Sequence, residues 1–311
     1  MKLIDCHADI GMDVLIKHNQ GESDVLKKYH LNKLKEGEIF GVSMACFFEG
    51  HESMGTAYAM VSELRKEIDA NQDSIHLSLQ GDFKEDKLNA LISIEGMCFI
   101  QDNPGEFLRW AYNQGVRIGS LCWNDTNALA TGTKGDPARG LTTLGKEAIN
   151  IMNELNMIVD ISHTNEKTFY DILEASKKPI IATHSNARKL CNVARNLTDQ
   201  QIIAIANNQG LIGLNAARYF VDNDPLLQIA HTLAKHAKYM AELTDVKHIC
   251  IGLDYMDFLE EPFGRDAMAI DLQDASMSQN LIKALFDVGF SESEVKAIAY
   301  QNVIDFLQKN L

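Results

Sequence analysis

The chain lacks any apolar run of about 18 residues, so no helix is expected to cross a bilayer. It lacks an excess of positive charge. Its 29 Lys+Arg against 43 Asp+Glu leave a formal net charge of −14, which argues against nucleic acid or an anionic membrane as a main partner. It also lacks cysteines at zinc-knuckle or redox spacing. Cys6, Cys46, Cys98, Cys122, Cys191 and Cys250 form no CxxC, and Cys6, Cys46, Cys122 and Cys250 lie in apolar runs. That pattern fits buried thiols in a reducing cytoplasm better than disulfides. No GxGxxG follows an apolar run, which counts against a dinucleotide-binding sheet. Neither a secretory leader nor a lipid-anchor tail is expected. An apolar strand begins at Leu3, and the last residues are Phe306-Leu307-Gln308-Lys309-Asn310-Leu311.

What is present is ordinary globular composition, 46% hydrophobic and 23% charged. Eight short apolar segments read as buried strands: 3–6, 39–48, 88–94, 116–122, 157–162, 179–183, 210–215 and 248–253. Helices are expected at about 23–29, 56–72, 107–112, 143–156, 166–175, 198–208, 226–243, 277–288 and 292–307. Thr198 is the expected N-cap of its helix. Residues 11–37 are otherwise mixed and polar, and 123–140 reads as a long ordered loop rich in Asn, Asp, Thr and Gly. Strands that alternate with helices imply parallel pairing through helical crossovers. Eight such units at this length fit a (β/α)₈ barrel, with an open doubly wound sheet as the alternative. No linker or composition shift divides the chain, so residues 1–311 are expected to form one domain with extended loops at the C-terminal ends of the strands.

Polar residues with metal-binding chemistry stand at those strand ends. They are His7 and Asp9, Glu95, Trp123 and Asn124, His163, His184, and Asp254. Strand alternation turns His7 and Asp9 to one side. In a barrel all eight C-terminal ends open on one face, so strand number rather than sequence distance decides which residues meet. Singly, each residue has a structural reading as well: Glu95 and Asp254 as turn residues, His163 and His184 as helix-start ligands. Together they supply three imidazoles and three carboxylates around one mouth. That is more than one four-ligand site needs, and it suits two metals sharing a carboxylate. Nitrogen and oxygen donors without thiolate point to Zn²⁺, with Mn²⁺ or Co²⁺ as alternatives. The other histidines, His18, His30, His51, His76, His231, His236 and His248, have no such company and are read as structural or surface residues.

These residues resemble those of the membrane (renal) dipeptidases, the M19 zinc peptidases. The matching segments are Asp5-Cys6-His7-Ala8-Asp9, Ser93-Ile94-Glu95-Gly96, Asp160-Ile161-Ser162-His163, Thr183-His184-Ser185-Asn186-Ala187, Arg195-Asn196-Leu197 and Gly252-Leu253-Asp254, in order along nearly the whole chain. The resemblance implies a (β/α)₈ barrel with two zinc ions that cleaves dipeptides, often with a D-residue in the C-terminal position. It implies that His7, Asp9 and Glu95 hold one zinc, and Glu95, His163 and His184 the other. Asp254 would be the proton-transfer aspartate, and Arg195 the clamp for the substrate carboxylate. Asn186 and Ala187 would shape their loop. A homodimer is also implied.

One position departs from the pattern. Vertebrate members carry, at the end of the fourth strand, a histidine that polarises the scissile carbonyl. Trp123 stands there in this chain, so either Asn124 or the metal alone takes that role. The expected reaction is hydrolysis by a hydroxide shared between the metals. A metal-dependent amidase, lactonase or phosphoesterase on the same barrel is the alternative, as is a metal-holding scaffold without activity. Selectivity is expected from the loops 123–140 and 255–274, whose second member holds acidic and aromatic residues suited to a basic or polar N-terminal side chain.

Overall fold

The computed structural model describes residues 1–260 and 263–311. Nine strands occur among them: β1 Leu3–Ala8, β2 Ile39–Phe47, β3 Ile75–Leu77, β4 Leu88–Glu95, β5 Val116–Ser120, β6 Ile158–Asp160, β7 Ile181–Ala182, β8 Leu211–Leu214 and β9 Ile249–Ile251. Their order is β2-β1-β9-β8-β7-β6-β5-β4-β3, with a further β2–β4 pairing from Gly41↔Asn89 to Phe47↔Glu95 that closes the sheet. Every ladder is parallel. Leaving out β3, this is the eight-stranded barrel expected from the sequence, with helices between the strands.

The strands read as continuous apolar runs because both of their faces are buried. Inward-facing Ile4, Cys6, Phe40, Leu91, Ile118, Ile158, Ile181, Leu211 and Cys250 draw on all eight barrel strands and form one inner cluster. Val303, Phe306 and Leu307 of the helix Asn302–Asn310 pack into that cluster. Outward-facing residues such as Val42, Ile92, Val159 and Ile212 join the helices in the larger cluster. All six cysteines are free and buried, and Cys6 Sγ lies 3.7 Å from Cys250 Sγ in the barrel interior.

Helix ends follow their local chemistry. Pro104 opens the helix Pro104–Gln114, and Gly115, at φ 103°, ends it. Thr198 and Gln201 form a capping box at Asp199–Asn207, as do Ser291 and Glu294 at Glu292–Lys296.

The structure differs from the sequence reading in several places. Residues expected to be mixed and polar contain the helix Ile10–Asn19, and the helix expected at about 23–29 is instead a single π-helical turn, Leu26–His30, that runs into the helix Leu31–Glu36. Asp13 breaks the apolar stripe of the first of these. It is buried there, bonded by His30 Nε2 at 2.8 Å and by Lys17. The helix expected from 226 starts at Ala230, where Asp271 Oδ1 accepts from the Ala230 amide at 2.7 Å, and only the short 3₁₀ turn Pro225–Leu227 precedes it. β3 has three residues, too few for a visible pattern, and pairs with the first residues of β4. No helix among the described residues is long and apolar enough to cross a membrane.

Candidate active site

The strands deliver side chains to the mouth by an arrangement that spacing alone does not reveal. Asp160, last in β6, turns its carboxylate back on the backbone. Its Oδ1 accepts from the amides of Ser162 at 2.9 Å and Thr183 at 3.0 Å. Asp5 in β1 does the same for His7 at 3.2 Å and Leu253 at 2.8 Å. These side chains replace ladder hydrogen bonds, which is why β7 stops at Ala182 rather than at Thr183. The chain then approaches its neighbours closely. A Cβ on Gly213 would lie 1.9 Å from the Thr183 carbonyl oxygen, and one on Gly252 would lie 1.8 Å from it. Only glycine at both positions lets β7 deliver His184 to the centre.

His7, Asp9, Glu95, His163 and His184 meet in one buried cluster. Glu95 stands at its middle. Its Oε2 is 3.0 Å from His7 Nε2, and its Oε1 is 2.6 Å from His163 Nε2 and 3.5 Å from His184 Nε2. Asp9 Oδ1 lies 3.4 Å from His7 Nε2 and receives no hydrogen bond. Two groups of three donors therefore share one carboxylate: His7, Asp9 and Glu95, and Glu95, His163 and His184. Asp9 belongs to the helix start rather than to the strand, yet it faces His7 as alternation suggested.

Hydrogen bonds behind the rings fix where their lone pairs point. The Thr183 hydroxyl donates to Asp160 Oδ2 at 2.6 Å, so its oxygen accepts from His184 Nδ1–H at 2.8 Å. Asn124 Oδ1 accepts from His163 Nδ1–H at 3.0 Å and from the Thr133 hydroxyl at 3.1 Å. Neither Nε2 atom then carries a proton of its own, and they face each other at 2.9 Å beside Glu95 Oε1. Electron pairs converging without a proton between them call for a cation, so the donor set fits a divalent metal. A third acidic grouping, His7, Asp160 and His184, is not a comparable site, because both Asp160 oxygens already accept hydrogen bonds.

The electrostatics agree. Burial, with the positive charges of Arg195 and His7 nearby, pushes His163 down to about 4; burial and His7 hold His184 well below the usual range. Both rings are neutral at pH 7, the form in which an imidazole can bind a metal. Burial works against a charged His7, but the Glu95 and Asp9 carboxylates hold it well above the usual range, so a proton there balances the acidic side of the cluster. Burial and then Glu95 raise Asp9 to about 6.

Asp254 and Arg195 face the cluster. Asp254 Oδ1 is 3.9 Å from His7 Nε2, and Asn215 Nδ2 donates to its Oδ2 at 3.1 Å. Burial raises this carboxyl to about 7, against the pull of His7 and with the push of Asp9 and Glu95. Asp254 at φ 62° and His163 at φ 72° both hold the left-handed backbone that non-glycine residues rarely adopt, a strain typical of functional positions. Arg195 Nη2 donates to His163 Nε2 at 3.1 Å and to the His184 carbonyl at 3.2 Å, while its buried Nε–H has no partner.

Trp123 and Asn124, both expected to touch substrate, part company. Trp123 stands beside the cluster, its ring 5.9 Å from that of His163. Asn124 lies behind His163, with its oxygen committed to that ring and to Thr133. Asn186 braces the neighbouring loop, as the sequence suggested, donating to the carbonyls of Asn215 and Phe220. The sequence reading missed Asp160, Thr183 and Asn215 as supports. The first two sit inside the quoted segments, but nothing in spacing marks them as partners of a ligand. Part of the loop expected at 255–274 lies outside the described residues, at 261 and 262.

A family model described as membrane dipeptidase (peptidase family M19) matches residues 1–310. An uncharacterized protein in the pqqA 5′ region of Klebsiella pneumoniae is 32% identical over 72% of this chain and 83% of its own length. Dipeptidase tcpJ of Claviceps purpurea is 25% identical over 99% of this chain and 75% of its own. Among solved structures, a Rhodobacter sphaeroides metallopeptidase, liganded with a phosphinate mimic of the dipeptide L-Ala-D-Ala, superposes with a TM-score of 0.87. It covers 100% of this chain and 99% of its own at 21% identity, a likeness that establishes the shared fold.

Proposed function

The chain belongs to the membrane dipeptidase family, peptidase family M19, and on that footing we propose that it hydrolyses dipeptides with two divalent cations, zinc first among them. The observation that carries this reading is Glu95, which presents one oxygen to His7 and the other to His163 and His184. His7, Asp9 and Glu95 would hold one ion, and Glu95, His163 and His184 the second. When bound, such a pair acidifies water toward neutrality and polarises a carbonyl oxygen.

The chain's own groups supply the rest. The water that attacks the peptide carbonyl carbon gives its proton to Asp254 Oδ1, and the same oxygen passes it to the amine as the C–N bond breaks. Asn215 steadies the other Asp254 oxygen, so one face of the carboxylate stays turned to the cluster. Arg195 offers its unpartnered Nε–H to the substrate's terminal carboxylate, which limits the substrate to two residues. A free carboxylate matches that buried guanidinium better than a lactone or phosphodiester does. The phosphinate mimic of L-Ala-D-Ala bound by the R. sphaeroides relative supports a D-residue at the C-terminal position.

The test joins metal analysis to turnover. Protein stripped by a chelator and refilled with zinc should regain hydrolysis of L,L- and L,D-dipeptides at two ions per chain. Asp254→Asn should keep both ions and lose about 10²–10⁴-fold in kcat. Normal turnover in that variant would remove Asp254 from the mechanism, and metal-replete protein that cleaves no dipeptide would overturn the function.

A further inference from the structure

Beside the metal cluster lies a cavity of about 370 Å³ walled by Phe48, Cys98 and Trp123, with Glu49, His51 and Asp125 at its rim. We infer that this cavity receives the side chain of the dipeptide's N-terminal residue and favours a cationic one, lysine or arginine; the inference rests on the dipeptidase reading above.

The cavity is joined to the reaction centre by its walls. The Phe48 amide donates to the Glu95 carbonyl at 2.9 Å, and the Trp123 ring lies 5.9 Å from the ring of His163. Its walls come from the loops after β2, β4 and β5, whereas Arg195 comes from the loop after β7. A dipeptide that places its terminal carboxylate on Arg195 therefore directs its other end across the mouth, toward the cavity.

The chemistry of the walls selects the charge. Trp123 is half-buried and offers apolar surface to an aliphatic stem, and its indole face also attracts a cation, with the buried Phe48 packed behind the wall. Glu49 and Asp125 are exposed, and among the described residues neither carboxylate is hydrogen-bonded. His51 Nδ1 lies 4.0 Å from Glu49 Oε2. Glu52 is different. Its carboxylate accepts the amides of Glu49, Gly50 and His51, so its charge holds the loop in place. Lys134 Nζ stands 5.4 Å from the centre of the Trp123 ring. One lysine against two free carboxylates leaves the cavity net negative, which disfavours an acidic side chain and draws a basic one.

The experiment compares isosteres, using the zinc-loaded full chain. Lysyl-alanine and norleucyl-alanine differ by one charged group, and alanyl-lysine and alanyl-norleucine repeat the comparison at the second position. The ratio of kcat/KM for lysyl-alanine over norleucyl-alanine should be about tenfold at low salt and should shrink at high salt. Glu49→Gln and Asp125→Asn together should bring the ratio close to one, and Glu49→Lys should favour glutamyl-alanine. Both positions are exposed, so folding does not depend on them. A ratio near one in the parent protein, a ratio that survives the double substitution, or a preference confined to the alanyl series would overturn the inference. Turnover of norleucyl-alanine with no gain for lysine would leave the dipeptidase reading standing. Turnover of neither would overturn both.

Discussion

The Thr183 hydroxyl gives its single proton to Asp160, 2.6 Å away, and this one bond sets the orientation of His184. Its oxygen is left to accept the Nδ1–H of His184, and it lies 3.4 Å from His7 Nδ1 as well. The Nε2 of His184 is thereby kept free of a proton on the side where a metal would bind. Partners of this kind orient a metal ligand and raise its basicity. Thr183→Val keeps the shape of the side chain and removes the acceptor. We expect metal affinity to fall about 10–100-fold, read by competition with a chromophoric chelator. Thr183→Ser should restore most of it. Equal affinity in the valine variant would show that the hydroxyl only fills space.

Asn215 stands to Asp254 as Thr183 stands to His184. Its Nδ2 holds Asp254 Oδ2, and its own Oδ1 is fixed by the Ala217 amide at 2.7 Å. Asn215→Ala leaves the proposed metal ligands untouched and frees the Asp254 carboxylate, proposed to transfer the proton, to turn. The expected outcome is about a tenfold loss in kcat with metal content and KM near the parent values, since small misplacements of a reacting group are costly. A change carried by KM alone would place Asn215 at the substrate instead.

Arg195 gives a contrasting signature. Its guanidinium is buried among His163, the His184 carbonyl and the Phe220 ring, whose centre is 5.4 Å from Cζ. A lysine keeps the charge but loses the planar fork and the Nε–H. Arg195→Lys should raise KM for dipeptides at least tenfold with a smaller effect on kcat, and should narrow the preference for dipeptides over their C-terminal amides. An unchanged KM would count against a carboxylate clamp.

The barrel and the side-chain cluster at its mouth were legible for a common reason. Strands buried on both faces appear as plain apolar runs, and a closed parallel sheet gathers their C-terminal ends whatever their distance in sequence. His7, Glu95, His163, His184 and Asp254 therefore fell together once the strands were counted. The supports did not, because Asp160, Thr183 and Asn215 act across neighbouring strands, and no periodicity encodes a bond from one strand's hydroxyl to the next strand's carboxylate. Asn124 was placed at the substrate by its neighbour Trp123, yet one residue of separation at a strand end sent one side chain to the cavity and the other behind His163. The helix Ile10–Asn19 was hidden by its charged residues, among them the buried Asp13 and the half-buried His18.

That helix also gives a prediction in pH. It leaves the cluster at Asp9 and is tied by His18 to the helix Met54–Ala70, with Nδ1 2.9 Å from Glu63 Oε2 and Nε2 2.8 Å from Glu67 Oε1. Glu67 in turn accepts the amides of Val25 and Leu26. Burial opposes charge on His18, but Glu67 and Glu63 outweigh it and raise its pKa; Lys66, then His18, lower that of Glu63 against its own burial. A raised histidine contributes stability in full below its unfolded value near 6.5, and the contribution is lost as pH climbs through the folded value. A lowered glutamate contributes above its unfolded value, about 4.3, and fails only in more acid solution. Both are engaged between these limits. His18→Gln should therefore lower Tm at pH 6 by on the order of 1–2 °C, as expected of a partly solvated pair, and by less at pH 9. Equal loss at the two pH values would mean that His18 acts as a neutral hydrogen-bonding group, and the helix that follows Asp9 would then be held without charge.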